Sequence, residues 1–271
     1  MKLSQTPWWL VGLGGLGLTA LAAAFSAEGY APIFSTVASG LGVTLGVTVV
    51  AFAFAIVLGL GLALLRVSPF RVAREASTFY IELVRGLPML VILYYIAFVG
   101  APVLVGVLNT LLSPLIHAGW FEAIKTRDID FATRAVLALT LGYAAFLADI
   151  FRAGIESVDQ GQVEAAQALG LSRLQTLLHV VMPQAIRNVL PALANEFIAM
   201  VKDSALVSVL GVQDITQLGK VYSASTFKFF ETYNVVAFFY LCITVSLSLL
   251  VRTLEKRLKQ SRAHSEATPR E

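Results

Sequence analysis

Six runs of this sequence are apolar over a length that crosses a bilayer, and few architectures accommodate that. They are residues 8–25, 37–65, 79–108, 131–150, 192–210 and 235–251. A membrane helix needs about 20 mostly apolar residues, so all six are read as helices. Composition agrees: 14% of residues are charged and the mean hydropathy is +0.77. Soluble domains carry roughly a quarter charged residues. The expected class is an all-α integral membrane protein.

Several functions are disfavoured at once. Cys242 is the only cysteine, so no intrachain disulfide forms. His117, His179 and His264 are scattered, without metal-ligand spacing. Gly219-Lys220 is followed by Val221 and lacks the upstream glycine of a phosphate-binding loop. The sequence pI near 9.0 needs no nucleic-acid partner, because Lys and Arg collect in the cytoplasmic loops of membrane proteins.

That bias sets an orientation. Arg66, Arg71 and Arg74 follow the second run, Arg152, Arg173 and Arg187 follow the fourth, and the tail holds Arg252, Lys256, Arg257, Lys259, Arg262 and Arg270. The alternate connections carry fewer: Lys125 and Arg127 among three acids, Lys220 and Lys228 with Asp214 and Glu231, and no base beside Glu28. The basic side is cytoplasmic, and six spans place both termini there. The first run has a rival reading. Lys2, an apolar core and Ala22-Ala23-Ala24 also fit a cleaved secretory signal, although the run is long for one. In the 109–130 connection, Trp120 and Phe121 suit the outer membrane interface. A polar, disordered tail is expected over 259–271.

Between the fourth and fifth runs lies EAAQALGLSRLQTLLHVVMPQAIRNVLP, residues 164–191. Asp159 with Gln162, and Ser172 with Gln175, have capping-box spacing. Glu164 is placed in the first turn, where a negative charge suits the helix dipole, and Gly170 supplies a left-handed stop. Leu174, Leu177, Leu178 and Val181 form an i, i+3, i+4, i+7 stripe, and Pro183 is expected to break or kink the second helix. Two short capped helices joined by a tight turn present a fixed shape. A pair resting on the bilayer surface is the plainer alternative.

These residues carry a resemblance. Glu164, Ala165, Ala166, Gly170, Ile186, Leu190 and Pro191 resemble the EAA cytoplasmic loop of ABC importer permeases. YIELVRGLPMLV (80–91), ADIFRAGIESVDQGQ (148–162), NEFIAMVKDSALVSVLGV (195–212) and LLVRTLEKRL (249–258) narrow the match to the polar amino-acid uptake family. The resemblance implies a five-span core over 37–258 with the coupling loop at 154–191, preceded by an extra span and outer loop at 1–36. It implies a permease subunit that binds no cofactor itself. ATP and Mg would be used by a cytoplasmic ATPase dimer, a second permease copy or relative would pair with this chain, and an extracytoplasmic amino-acid-binding protein would deliver substrate. The location implied is the bacterial cytoplasmic (inner) membrane, with lipid around the chain and no nucleic acid. The coupling residues implied are Glu164, Ala165, Ala166, Gly170, Leu174, Leu178, Ile186 and Pro191.

Ionisable groups within a span are costly and point to function. Glu196, Lys202 and Asp203 lie in the fifth run, Glu196 and Asp203 on nearly one face. The third run holds Glu82 and Arg85, then Gly86-Leu87-Pro88, where proline disturbs the helix and backbone groups become available to a ligand. A transport path and a structural ion-pair network are both open readings. Leu87 and Ile92 stand where the family often has Thr and Gln, implying either a less polar substrate or a pocket in the partner subunit. A stand-alone ion-coupled carrier is the alternative function, but it leaves the docking loop unexplained.

Overall fold

The computed structural model describes Gly12 and residues 29–266. Apart from Gly12, the 8–25 run, with its choice between retained span and cleaved signal, lies outside the described residues. Among those described, four helical stretches are long and apolar enough to cross a membrane: Tyr30–Arg66, Met89–Leu111, Phe131–Glu156 and Phe229–Thr253. The expected helical class holds, and these four stretches coincide with the second, third, fourth and sixth expected spans.

The first stretch is α1 (Tyr30–Ala38) and α2 (Leu41–Arg66), separated by Ser39-Gly40. A Cβ at Gly40 would lie 2.6 Å from the Asp214 carbonyl carbon, so only glycine admits this crossing. α2 runs parallel to α7 (Phe131–Glu156): Thr140 Oγ1 donates to the Ala51 carbonyl at 3.2 Å, and Gly59 abuts Ala144 and Leu147. Small residues let helix backbones close up where lipid gives no hydrophobic drive between them. Buried Ala51, Ala55, Ala63, Ala135, Ala138 and Leu139 fill this seam.

The third run is interrupted where the sequence placed a break. α3 (Arg71–Arg85) ends at Gly86, and Pro88 caps α4 (Met89–Tyr95) in an extended conformation. α4 passes through a π-turn (Ile96–Gly100) into α5 (Ala101–Leu111). The short α6 (Ser113–His117) follows, and the connection then returns to α7.

α8 (Gln160–Ala168), α9 (Arg173–Thr176) and a π-turn (Leu177–Val181) lead into α10 (Met182–Asp203). A 3₁₀ segment (Ser204–Leu210) extends α10. The expected fifth span over 192–210 is therefore the upper part of a longer helix plus this segment. α11 (Ile215–Thr226) is capped by Asp214, which accepts from the Gln217 amide at 2.8 Å. α12 (Phe229–Glu266) closes the bundle. It extends to Glu266, so helix replaces the disorder expected over 259–266; the rest of the tail lies outside the described residues. α1 docks on α11 and α12 through Ile33, Val37, Ile215, Val235 and Phe239.

Candidate functional site

The 158–203 segment is built around a small core of its own. Val158, Val181 and Ala185 are buried together, with Ile155, Val163 and Leu177 against them. Gly170 has φ +85°, the left-handed conformation expected of it. Ser172 and Gln175 form the reciprocal capping box, Gln175 N donating to Ser172 Oγ at 3.3 Å and Ser172 N to Gln175 Oε1 at 2.9 Å.

Four expectations are corrected. Asp159 caps α8 without a side-chain bond, and Gln162 Oε1 instead accepts from Gln184 Nε2 at 2.6 Å. Glu164 lies in the second turn of α8, not the first. Pro183 does not break the helix. The π-turn ahead of it sends the Met182 amide to the Leu177 carbonyl, and α10 continues through both Pro183 and Pro191. The π-turn adds one residue to the repeat, so the four residues of the leucine stripe do not share one face. Val181 is buried, whereas Leu174 and Leu178 are exposed.

What this segment presents outward is apolar. Leu169 is 84% exposed, and Leu174, Leu178 and Ile186 are also exposed. Glu164, Ala165 and Gly170 are exposed beside them; Ala166 is buried and holds α8 down. These leucines, carried on a capped frame, form an exposed apolar patch.

α10 carries this frame to the second cluster. It packs on α7 where Gly154 meets Val189, a contact with no room for a side chain. Its far end brings Asp203 to α7, where the Tyr143 hydroxyl donates to Asp203 Oδ2 at 2.8 Å. Glu196 is half-buried on the same side, within electrostatic reach of both Tyr143 and Asp203. Lys202 is exposed and makes no ion pair among the described residues. The Phe197 ring meets Phe52 of α2 edge-on at 5.1 Å.

From Tyr143 the face of α7 leads to the broken span. The Tyr143 and Phe146 rings are 5.9 Å apart, and the Arg85 guanidinium lies 5.9 Å from the Phe146 centroid. Arg85 pairs with Asp149. The same carboxylate accepts from Arg66 at 2.6 Å, and Arg152 stands 3.8 Å away. Glu82 faces Arg66 at 3.5 Å. Glu82 and Arg85 thus belong to an ion-pair network joining α2, α3 and α7. Gly86, Leu87 and Pro88 are exposed at its edge.

Sequence reading missed the hub, Asp149, and the linker, Tyr143. Both lie at helical spacing with Phe146 on one face of α7 (i, i+3, i+6). An acid inside an otherwise apolar run was the available signal for Asp149. Tyr143 had none, since its role depends on α10 lying alongside.

Comparisons with known proteins match this arrangement. The model of the family described as "Binding-protein-dependent transport system inner membrane component" matches residues 54–260. The chain is 36% identical to the probable glutamine ABC transporter permease protein GlnM of Bacillus subtilis (strain 168), covering 84% of this chain and 95% of that one. It is 33% identical to the glutamine transport system permease protein GlnP of Escherichia coli (strain K12), with the same coverage. Among solved structures, an amino acid ABC transporter crystallised with histidines has a TM-score of 0.68 at 37% identity, covering 84% of this chain and 95% of its own. A methionine ABC transporter in an inward-facing form shares the fold, with a TM-score of 0.66 at 20% identity. These likenesses favour an ABC importer subunit over a stand-alone carrier. The chain belongs to the inner membrane components of binding-protein-dependent transport systems, as an amino-acid ABC importer permease.

Proposed function

We propose that this permease couples ATP hydrolysis by a separate cytoplasmic ATPase dimer to amino-acid passage along the face formed by α3, α7 and α10. The observation that carries this reading is the continuity of α10. One helix of 22 residues starts beside the exposed docking leucines and ends at Asp203, a rigid element about 33 Å long at 1.5 Å per residue. A displacement of the docking face by the ATPase is passed on with the helix, because the joint at Val158, Val181 and Ala185 is packed.

Along this face lie groups of both signs. Asp203 and Glu196 suit a substrate ammonium, and Arg85, beside the Gly86-Leu87-Pro88 break, suits a carboxylate. Leu87 and Ile92 add no polar group, which favours a neutral or apolar amino acid. Lys202, on the exposed side of α10, faces a second permease subunit or a neighbouring helix end. The arginine-rich end bearing Arg66, Arg71, Arg74 and Arg152 faces the cytoplasm, where Glu164 and Gly170 meet the ATPase. An extracytoplasmic binding protein delivers substrate to the opposite end.

The test is Glu196→Gln and Asp203→Asn in the assembled transporter, with uptake and ATP hydrolysis measured separately. Loss of uptake with basal hydrolysis intact, and a changed preference among amino acids, is expected. Unchanged preference and kinetics in both variants would move the pocket to the partner subunit.

A further inference from the structure

Arg134 is a buried cation that feels the Asp130 charge without forming an ion pair with it. It is 8% exposed, and none of the ion pairs among the described residues includes it. Asp130, one turn away, is occupied in capping α7 through the Thr133 amide at 2.8 Å. Burying an unpaired guanidinium is expensive unless its N–H groups are satisfied. Here backbone carbonyls satisfy them: Nε donates to Ile129 at 2.9 Å, one terminal nitrogen to Thr126 at 2.5 Å and the other to Ala97 at 3.1 Å. The Phe131 ring lies 4.8 Å from the guanidinium carbon.

The Ala97 carbonyl is available for a specific reason. In an α-helix it would accept from the Ala101 amide. The π-turn sends that amide to Ile96 instead. In the register of the turn the next donor to Ala97 would be residue 102, which is Pro and has no N–H. Ala97 is fully buried, so water cannot serve it, and Arg134 does. The remaining two bonds go to the 112–130 connection. That connection is also tied to the end of α5, where Asn109 exchanges two hydrogen bonds with the Ile124 backbone, at 2.8 and 2.9 Å. Arg134 therefore joins three things: the start of α7, a pinned loop, and the one place where the broken span departs from α register.

A π-turn is a one-residue insertion, and reverting it rotates one flank against the other by about 100°. We propose that Arg134 is a positioning residue that locks the π-turn and so fixes which face α4 turns to α7. In that register Met89 lies against Gly142, Ile92 and Leu93 are buried, and Val91 and Tyr95 are exposed. The consequence for transport rests on the reading that the path runs beside the Gly86-Leu87-Pro88 break.

The test uses the full transporter in membranes, with Met89→Cys and Gly142→Cys in a Cys242→Ser background. Oxidation should cross-link α4 to α7. With Pro102→Ala present, so that no proline ring opposes α register, Arg134→Gln should lower the yield severalfold, and Arg134→Lys should behave alike, since an ammonium does not span three separated carbonyls. Deleting Val99 with Pro102→Ala, in the Arg134→Gln background, restores α register without freeing a carbonyl and should recover the yield. A general loss of stability would not be repaired by that deletion. Unchanged cross-linking in Arg134→Gln with Pro102→Ala, or no recovery on deletion, overturns the proposal. Should Arg134→Gln alone fail to reach the membrane, recovery by the deletion supports the lock and continued failure overturns it. A register shift with unaltered uptake KM and rate would leave the lock standing and remove the path from this face.

Discussion

The same local device occurs twice in this protein and is handled in opposite ways. At 96–102 and at 177–183 a π-turn is followed by one residue and then a proline. In both places the turn spares the helix a clash between the proline ring and a carbonyl one turn back. At 96–102 the freed carbonyl is buried and Arg134 takes it. At 177–183 the turn lies near the surface, and its entry residue, Thr176, is buried with an unpartnered hydroxyl. The Gln184 side chain donates to the Val180 carbonyl at 2.9 Å and to Gln162 at 2.6 Å, both at or near solvent. One insertion is locked by a buried charge; the other is held by exposed amides and a small apolar core. Under the proposed function, the contrast fits a broken span that keeps one register and a segment that responds to the ATPase.

The largest expected effect is at the docking segment. Gly170→Val should reduce uptake to background while membrane levels stay normal, because Val is an outlier at positive φ and the turn sets the placement of Leu169 and Leu174. Glu164→Lys should act in the same direction by reversing a charge on the exposed face. Radiolabelled uptake with immunoblotting of membranes reads both, and normal ATP-driven uptake in the double variant would remove the coupling role.

Next come the two prolines. Pro183→Ala permits reversion to α register at a site with no lock, rotating the docking face by about 100°; uptake should fall severalfold. Pro102→Ala leaves Arg134 in place, so uptake should hardly change. Equal effects would erase the distinction between the two turns.

How much of this was legible in the sequence follows from the same residues. Apolar run lengths gave the helical class, and Gly86-Leu87-Pro88, Gly170 and the Ser172–Gln175 box were readable because their geometry is local. The π-turns were not. Nothing in LYYIAFVGAP or TLLHVVMP marks an extra residue per turn, and the proline signal alone predicts a kink. Asp159 looked like a capping residue, but Gln162 is drawn away by Gln184, a partner 22 positions distant. Arg134 lies inside the 131–150 run, but its burial depends on the π-turn after α4 and the 112–130 connection converging on it, which no local pattern shows.

Smaller effects test the energetics. Thr176→Val removes a buried hydroxyl without a partner and should stabilise the protein by about 1 kcal/mol, read as a raised midpoint in thermal unfolding of the detergent-solubilised transporter. A loss of stability would mean that the hydroxyl has a partner in the assembled protein. Smallest is the cap of α7. Hydrogen bonds from Thr133, first among the causes, hold the Asp130 carboxyl below the ordinary range, with Arg134 assisting. Because the folded value is the lower one, the cap is intact above the unfolded pKa of about 4 and is lost as pH falls through the folded value. Amide exchange at Thr133 should accelerate beyond its intrinsic pH dependence only below that range, and Asp130→Asn should abolish this pH step.

The central claim is that α10 carries motion from the docking leucines to Asp203 as one rigid element. A single alanine inserted after Ala192 leaves the docking segment whole and rotates Asp203 by about 100° away from Tyr143. In reconstituted vesicles with the ATPase and binding protein present, ATP hydrolysis should persist at its basal rate while uptake disappears. Uptake at the normal rate in the insertion variant would contradict the account.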